Sequence, residues 1–369
     1  MRWAGSWAVV FALCACGGSA APVVIAQPGG DSGSTGQPDA GDAGPVAGPD
    51  GGTPDAGPAA DCTGVVPASL GPALTFEVHD SAGKICSAAT SDGKGMIIAE
   101  SHDAGTLPAQ SDEVVWNIVD TRGAWQGNFT GGASIVPQPS GFAGYSGGLD
   151  ALWDEYGTPK TFVSVDAHPV IVPGFSSGTL AFGTSGTSGL AVHRVDASGN
   201  ETASGSTQVS GAFVVQGGAE EKSSAVLVVF AAGAVERFIW FDPALHLSVA
   251  MSDLGPGAHE ALARPLIDGG VAVRLDGHWT ATLQPGDATV QPPPAFLRDG
   301  TDFAPARGGH AYAVWKAGSN AIDLVSAGGS TCGTVTFAGA SSVALGLDGT
   351  VLGATSASCT KIFWHAALR

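Results

Sequence analysis

From Cys62 onward the chain is written in short apolar runs, some alternating and some continuous, separated by Gly, Ser, Asn and Asp-Gly. That texture predicts antiparallel strands joined by tight turns. Two segments are close copies, Val271-Ala272-Val273-Arg274-Leu275-Asp276-Gly277-His278-Trp279 and Val343-Ala344-Leu345-Gly346-Leu347-Asp348-Gly349-Thr350-Val351. In each, an apolar strand meets Asp-Gly, whose tolerance of positive φ suits a hairpin turn, and a second strand follows. Looser relatives start near Met96, Phe142, Leu190, Val226 and Ala311.

These starts, with those at Val271 and Val343, are separated by roughly forty residues, the length of a four-stranded propeller blade. The prediction is an all-β fold, a β-propeller of about seven four-stranded blades. A ring of this kind ordinarily completes its last blade with strands from both chain ends. Residues 343–347, 351–354 and 361–366 supply three such strands, and residues 74–78 are placed to supply the fourth. The competing architecture is a set of β-sandwich domains, which shows the same short strands at regular spacing.

Residues 1–61 read differently. Met1-Arg2 is a minimal positive start, and the apolar stretch from Trp3 to Ala15 has the length of a signal-peptide core, too short to span a bilayer. It ends in Leu13-Cys14-Ala15-Cys16-Gly17, which resembles the bacterial lipobox: a branched apolar residue, a small residue before the cut, then cysteine. The resemblance implies that residues 1–15 are a lipoprotein signal peptide and that Cys16 becomes the acylated N-terminus. Each buried methylene would add about 0.8 kcal/mol of membrane affinity. Gly17 rather than aspartate after the cysteine implies sorting to the outer membrane, on its periplasmic face or at the cell surface. An ordinary signal peptide, cut after Ala21 or Ala26, is the alternative, and both readings export the protein.

Residues 16–61 carry Pro-Asp-Ala-Gly echoes such as Pro38-Asp39-Ala40-Gly41 and Pro54-Asp55-Ala56-Gly57, with almost nothing able to enter a core. A disordered tether is expected, of a kind similar to the spacers of surface lipoproteins, with a reach on the order of 40 Å. Residues 62–369 form the propeller-like domain.

Charge narrows the partners. Among 369 residues there are 15 Lys+Arg against 33 Asp+Glu, a net charge of -18, and 56 are glycine. Such a surface repels phosphate backbones, so nucleic acid is excluded as an expected partner. The partners expected are the membrane, through the lipid, and an envelope protein or glycan.

Cys62, Cys86, Cys332 and Cys359 contain no Cys-x-x-Cys, which argues for disulfides over zinc. Four cysteines allow three pairings. Proximity in sequence favours Cys62 with Cys86 and Cys332 with Cys359, whereas an end-to-end pair such as Cys86 with Cys359 would clamp a ring. Gly144-Tyr145-Ser146-Gly147-Gly148 and Gly174-Phe175-Ser176-Ser177-Gly178 match the hydrolase elbow, but that fold needs long amphipathic helices that this pattern lacks. His259-Glu260 lacks the second histidine of a zinc-protease helix, and Ser101-His102-Asp103 reads as a polar turn. Asp196-Ala197-Ser198-Gly199-Asn200 has oxygens enough for calcium, but reads more simply as a hairpin turn.

The densest acidic and aromatic cluster is Asp150, Trp153, Asp154, Glu155 and Tyr156, the chemistry of a sugar platform. Trp240, Trp279, Trp315 and Trp364 recur at blade-like intervals and are expected to pack between blades. With no catalytic, metal or cofactor constellation apparent, the expected role is a noncatalytic binding module. The alternatives are an envelope hydrolase acting on glycans or esters and, by analogy with other propeller lipoproteins, a structural component of an outer-membrane assembly.

Overall fold

Val226-Leu227-Val228-Val229-Phe230 is buried at every position, so this strand has no solvent face. Period two then puts alternate side chains against two different neighbours. A computed structural model accounts for this arrangement. It describes Cys62, residues 73–77, 88–90 and 96–100, most of 113–160 and 170–339, and residues 342–345, 351–354 and 361–365. The proposed signal peptide, Cys16 and the tether lie outside the described residues, as do Cys86 and Cys359.

The chain enters with β1 (Leu74–Glu77). Blade 1 follows with β2 (Ala88–Thr90), β3 (Met96–Glu100), β4 (Glu113–Val119) and β5 (Trp125–Gly132). Blade 2 has, among the described residues, three strands, β6 (Ile135–Gln138), β7 (Gly141–Ser146) and β8 (Leu149–Asp154). Blade 3 is β9 (Val170–Pro173), β10 (Thr179–Ser185), β11 (Gly189–Val195) and β12 (Glu201–Gln208). Blade 4 is β13 (Phe213–Glu220), β14 (Val226–Ala232), β15 (Val235–Phe241) and β16 (Leu247–Pro256). Blade 5 is β17 (Ala261–Pro265), β18 (Val271–Leu275), β19 (His278–Leu283) and β20 (Val290–Gln291). Blade 6 is β21 (Thr301–Pro305), β22 (Ala311–Lys316), β23 (Ala321–Ser326) and β24 (Thr331–Thr336). The last sheet holds β25 (Ser342–Leu345), β26 (Val351–Ala354) and β27 (Lys361–His365), and β1 completes it.

The protein is therefore an all-β propeller, with six four-stranded sheets and one of three strands among the described residues. The first strand of each blade is innermost. β2, β6, β9, β13, β17, β21 and β25 touch in that order, and β25 returns to β2, so the ring closes. A closed ring replaces the sandwich alternative. Its seam is the one expected: β1 runs antiparallel to β27, with Leu74 opposite Trp364 and Glu77 opposite Lys361.

The register of the repeat differs from the sequence reading. The Asp276-Gly277 turn joins the second and third strands of blade 5, whereas Val343 lies on the first strand of its sheet. Leu190 lies on a third strand. The two close copies are thus not equivalent positions, which explains the uneven spacing of the predicted starts. The repeat that the structure does keep is the turn after the third strand. In Asp120–Ala124, Asp154–Thr158, Asp196–Asn200, Asp242–His246 and Ser326–Ser330 the first residue's N–H donates to the carbonyl of the fifth. The fourth residue takes positive φ where it is described, at Gly157 (81°), Gly199 (91°), Leu245 (64°) and Gly329 (90°).

The core is a series of wedges between blades. Phe182, Leu190 and Val192 of blade 3 meet Val226, Val228, Phe230 and Phe241 of blade 4. From the other face of blade 4, Leu227, Val229, Phe238 and Trp240 meet Ala263, Val271 and Val273 of blade 5. Trp279, Phe303 and Tyr312 fill the next wedge, and Trp116, Phe129, Phe142 and Trp153 fill that between blades 1 and 2. Trp240 and Trp279 thus pack between blades, and the Trp279 Nε1 donates to the Thr301 carbonyl at 3.0 Å.

Cys62 is joined to Cys332, with Cα atoms 5.4 Å apart and a sequence separation of 270. This corrects both local pairings, Cys62 with Cys86 and Cys332 with Cys359. Sequence proximity misleads here because ring closure brings the segment ahead of β1 beside β24, the outer strand of the neighbouring blade.

A Cβ on Gly218 would lie 2.5 Å from the Phe182 ring and 2.8 Å from the Leu227 carbonyl oxygen. Gly218→Ala is expected to cost about 1–3 kcal/mol by overpacking the wedge between blades 3 and 4. Chemical denaturation would show a lower midpoint with an unchanged slope.

Candidate functional site

Of the residues proposed as a sugar platform, the structure describes the side chains of Trp153, Asp154 and Tyr156. Trp153 is 5% exposed, and its ring stacks on Phe129 at a centroid distance of 4.4 Å, so it serves the core between blades 1 and 2. Asp154 opens the turn after β8: its Oδ1 accepts the N–H groups of Tyr156 at 2.9 Å and Thr158 at 2.8 Å. Tyr156 is exposed on that turn. Asp150 lies on β8 opposite Tyr145. Glu155 lies outside the described residues.

Asp196 uses its Oδ1 in the same way, accepting from Ser198 and Asn200 at 2.8 and 2.9 Å, so the calcium-loop pattern is a hairpin turn. The amide of Asn200 holds its carboxyl below the usual carboxylate range, as the amide of His246 does for Asp242. Both elbow-like segments are hairpin connections. Ser146 ends β7 and Leu149 opens β8, while residues 174–178 link β9 to β10, with the Gly174 N–H donating to the Gly178 carbonyl at 2.9 Å. Ser176 itself and the segment containing Ser101, His102 and Asp103 lie outside the described residues.

Two sites break the apolar repeat, and neither was singled out from sequence. The first lies between blades 3 and 4. Glu220 ends β13 where β9, β17 and β21 end in Pro173, Pro265 and Pro305. Arg194 lies two residues ahead of its turn, where sister blades carry Ile118, Leu152, Trp240 and Leu324. The Arg194 Nη2 meets Glu220 Oε1 at 2.9 Å, with the carboxylate side chain 1% exposed. The same guanidinium donates to the carbonyls of Pro243 (2.6 Å) and Ser224 (2.9 Å), and Glu220 Oε2 accepts the Phe175 N–H at 2.5 Å. Four segments of two blades are tied by one ion pair.

The second lies between blades 4 and 5, at the end of the ring carrying the turns between second and third strands. Glu236 is 0% exposed, accepts the Ala258 N–H on Oε2 at 3.3 Å, and has an Oε1 with no protein partner. Burial pushes its carboxyl above the usual carboxylate range, the Ala258 N–H opposes this, and the charge of nearby Asp276 adds to the rise.

An open groove of about 500 Å³ runs along the outer edge of blade 3 to the Asp242–His246 turn of blade 4. It is lined by Ala191, His193, Ser204, Gly205, Ser206, Leu245, His246 and Leu247. A Cβ on Gly205 would lie 2.0 Å from the Leu245 carbonyl oxygen, so glycine lets the strand rest on the turn. His193 Nδ1 lies 2.7 Å from Glu201 Oε2, and Ser204 is the cross-strand partner of His193. The His193 hydrogen bond, followed by that of Ser204, holds the Glu201 carboxyl below its ordinary value. The one sequence signal was the Ser/Thr-rich strand 201–208, polar on both faces and hence an outer edge. Among the described residues, no three His, Cys, Asp or Glu side chains form a metal-binding group, and no helix is long and apolar enough to cross a membrane.

Arg194→Met leaves Glu220 buried without a partner and is expected to cost about 3–5 kcal/mol, whereas Arg194→Met with Glu220→Gln costs less. Chemical unfolding of the three proteins checks this order. The depressed carboxyls of Asp196 and Asp242 contribute stability above their unfolded values of about 3.9, and this is lost as pH falls through the lower folded values. The stability advantage of the wild type over the variant carrying Asp196→Asn and Asp242→Asn therefore shrinks below about pH 4, read from thermal midpoints across an acid series.

No family model matches the chain, and no curated protein matches it. Solved structures do. BamB from Moraxella catarrhalis is 11% identical with a TM-score of 0.43, covering 80% of this chain and 100% of that one. The Cps50 (Swd1) β-propeller domain of Myceliophteria thermophila is 10% identical with a TM-score of 0.48, covering 79% and 99%. The Pan2 WD40 domain of Neurospora crassa is 11% identical with a TM-score of 0.45, covering 80% and 89%.

Proposed function

We propose that this chain is an exported lipoprotein, acylated on Cys16 and held at the outer membrane, whose propeller binds an envelope protein or glycan without performing chemistry. The observation that carries the reading is Leu13-Cys14-Ala15-Cys16-Gly17 followed by a Pro-Asp-Ala-Gly segment leading into the propeller. The lipid sets the place of action, the tether sets the radius, and the ring presents rigid edges and turns. Within the ring, the groove on blade 3 supports the binding role, since it joins hydroxyls and imidazoles to an exposed Leu247.

One observation favours a hydrolase instead. His193, oriented by Glu201, has Ser204 across the strand pair, which is the residue set of a nucleophile and base. The Ser204 hydroxyl, however, also acts on the Glu201 carboxyl, helping to hold it below its ordinary value. A nucleophile must present its proton to the imidazole, and the hydrogen bond that the structure gives His193 is to Glu201. The binding reading is therefore the better supported.

The test uses the full chain expressed in a Gram-negative host. The mature N-terminal peptide carries the mass of an acylated Cys16, and Cys16→Ser moves the protein from sedimenting membranes to the soluble envelope fraction. Native protein beginning unlipidated at Ala21, Pro22 or Gln27 overturns the anchor. In crosslinked envelope extracts the wild type captures its partner, and the pair His246→Ala and Leu247→Asp weakens capture about tenfold, a loss near 1.4 kcal/mol. Ester or glycan cleavage that disappears in Ser204→Ala would establish the hydrolase.

A further inference from the structure

Glu236 occupies the second position of β15, and the same position in β11, β19 and β23 holds buried Leu190, Trp279 and Ile322. A carboxyl therefore stands where these sister strands place an apolar side chain, and it is 0% exposed. Its Oε2 accepts the Ala258 N–H at 3.3 Å, a long bond, and its Oε1 has no protein partner. The next two amides of the same link, those of His259 and Glu260, donate to Asp276 Oδ1 at 2.8 and 3.1 Å. Three consecutive N–H groups between blades 4 and 5 are thus held by two carboxyl side chains, one from each blade.

Among the described residues no cationic side chain pairs with Glu236. Arg237, its neighbour on β15, turns to Asp253 of β16 at 2.9 Å. Arg274 of β18 reaches Glu260 at 3.6 Å and lies over the Trp279 ring, and Arg264 of β17 reaches Asp302 of blade 6 at 3.7 Å. His259 and Glu260 on the link, and His278 at the start of β19, are exposed to water. Gln216 of β13, which donates to the Ala258 carbonyl at 3.0 Å, carries no charge. Burial disfavours a negative charge on Glu236, the Ala258 N–H opposes this, and the charge of Asp276 reinforces it. A neutral acid is far cheaper to bury there than an unpaired carboxylate.

We propose that Glu236 makes this link a pH-sensitive clasp between blades 4 and 5. Neutral, it holds residues 258–260 closed. Once its proton has passed to solvent, the buried carboxylate sits beside Asp276 with no cation to meet it, and the link opens to water as a local event that leaves the other blades in place. The folded value lies above the unfolded one of about 4.3, so the stability contributed by the neutral acid is complete below about pH 4.3 and is lost as pH rises through the folded value.

The test compares the full chain with Glu236→Gln, which keeps an acceptor for the Ala258 N–H without the charge, across a series from about pH 4 to 8. Hydrogen exchange of residues 258–260, corrected for its intrinsic dependence on pH, is expected to accelerate about tenfold or more in the wild type relative to Glu236→Gln, while β10 and β11 of blade 3 respond equally in both. The thermal midpoint of the wild type falls relative to that of the variant over the same range. Asp276→Asn, which removes the neighbouring charge and retains an acceptor, narrows the range from its upper end. Should Glu236→Gln fail to fold, Glu236→Leu, carrying the side-chain type of the sister strands, is the reference. Equal pH dependence in the wild type and the reference overturns the proposal. A difference in midpoint without any difference in exchange at residues 258–260 overturns it as well, since the clasp would then not be where the pH acts.

Discussion

Blades 2 to 5 of this ring are wedges with two buried faces, and that constraint governs the rest of the structure. On β14, Val226, Val228 and Phe230 serve the interface with blade 3, while Leu227 and Val229 serve that with blade 5. A strand loaded on both sides has no solvent face to which it can turn, so a sheet with one neighbour missing would expose half its apolar surface. Closure is therefore a thermodynamic requirement. β1 and β27 meet that requirement by joining the two chain ends. Glycines at the contact points follow from the same demand. Gly205 lets an outer strand lie on the Leu245 carbonyl, and Gly127 does so against that of Tyr156.

Polar groups inside such wedges are expensive unless satisfied, and their placement is informative for that reason. Arg194 stands where sister blades carry apolar residues and Glu220 where blades 3, 5 and 6 carry proline, and the two pair with one another while bridging turns of blades 3 and 4. Glu236 is a similar substitution without a similar answer from the protein. Local rules broken in a repeat mark positions where something other than packing has shaped the choice of residue.

Much of the fold was legible because the wedge constraint writes itself into the chain as continuous apolar runs. The closing strand ahead of β2 and the three strands at the C-terminus could be identified from that pattern and from the topology of a ring. The blade register could not. Asp276-Gly277 and Asp348-Gly349 resemble each other because any tight hairpin wants those residues, whatever its position in a blade. The better phase marker was the turn opened by Asp120, Asp154, Asp196 and Asp242, whose carboxylates accept backbone amides. Trp153 was read as part of a ligand platform, whereas its ring packs in the core between blades 1 and 2. Asp154 next to an aromatic looks like ligand chemistry, but in a propeller the residue before the turn is the end of a buried strand. The groove at His193 and the ion pair at Arg194 arise from contacts between strands of separate blades, and no spacing along the chain encodes them.

The bond between Cys62 and Cys332 bears on mechanics as well as closure. Any tension arriving along residues ahead of Cys62 passes through a covalent link into β24 of blade 6 before it reaches β1. The hydrogen bonds between β1 and β27, which a direct pull would peel apart one pair at a time, are shielded from that load. The ring can thus be dragged, sheared or held at the end of a line without its seam being the first thing to give.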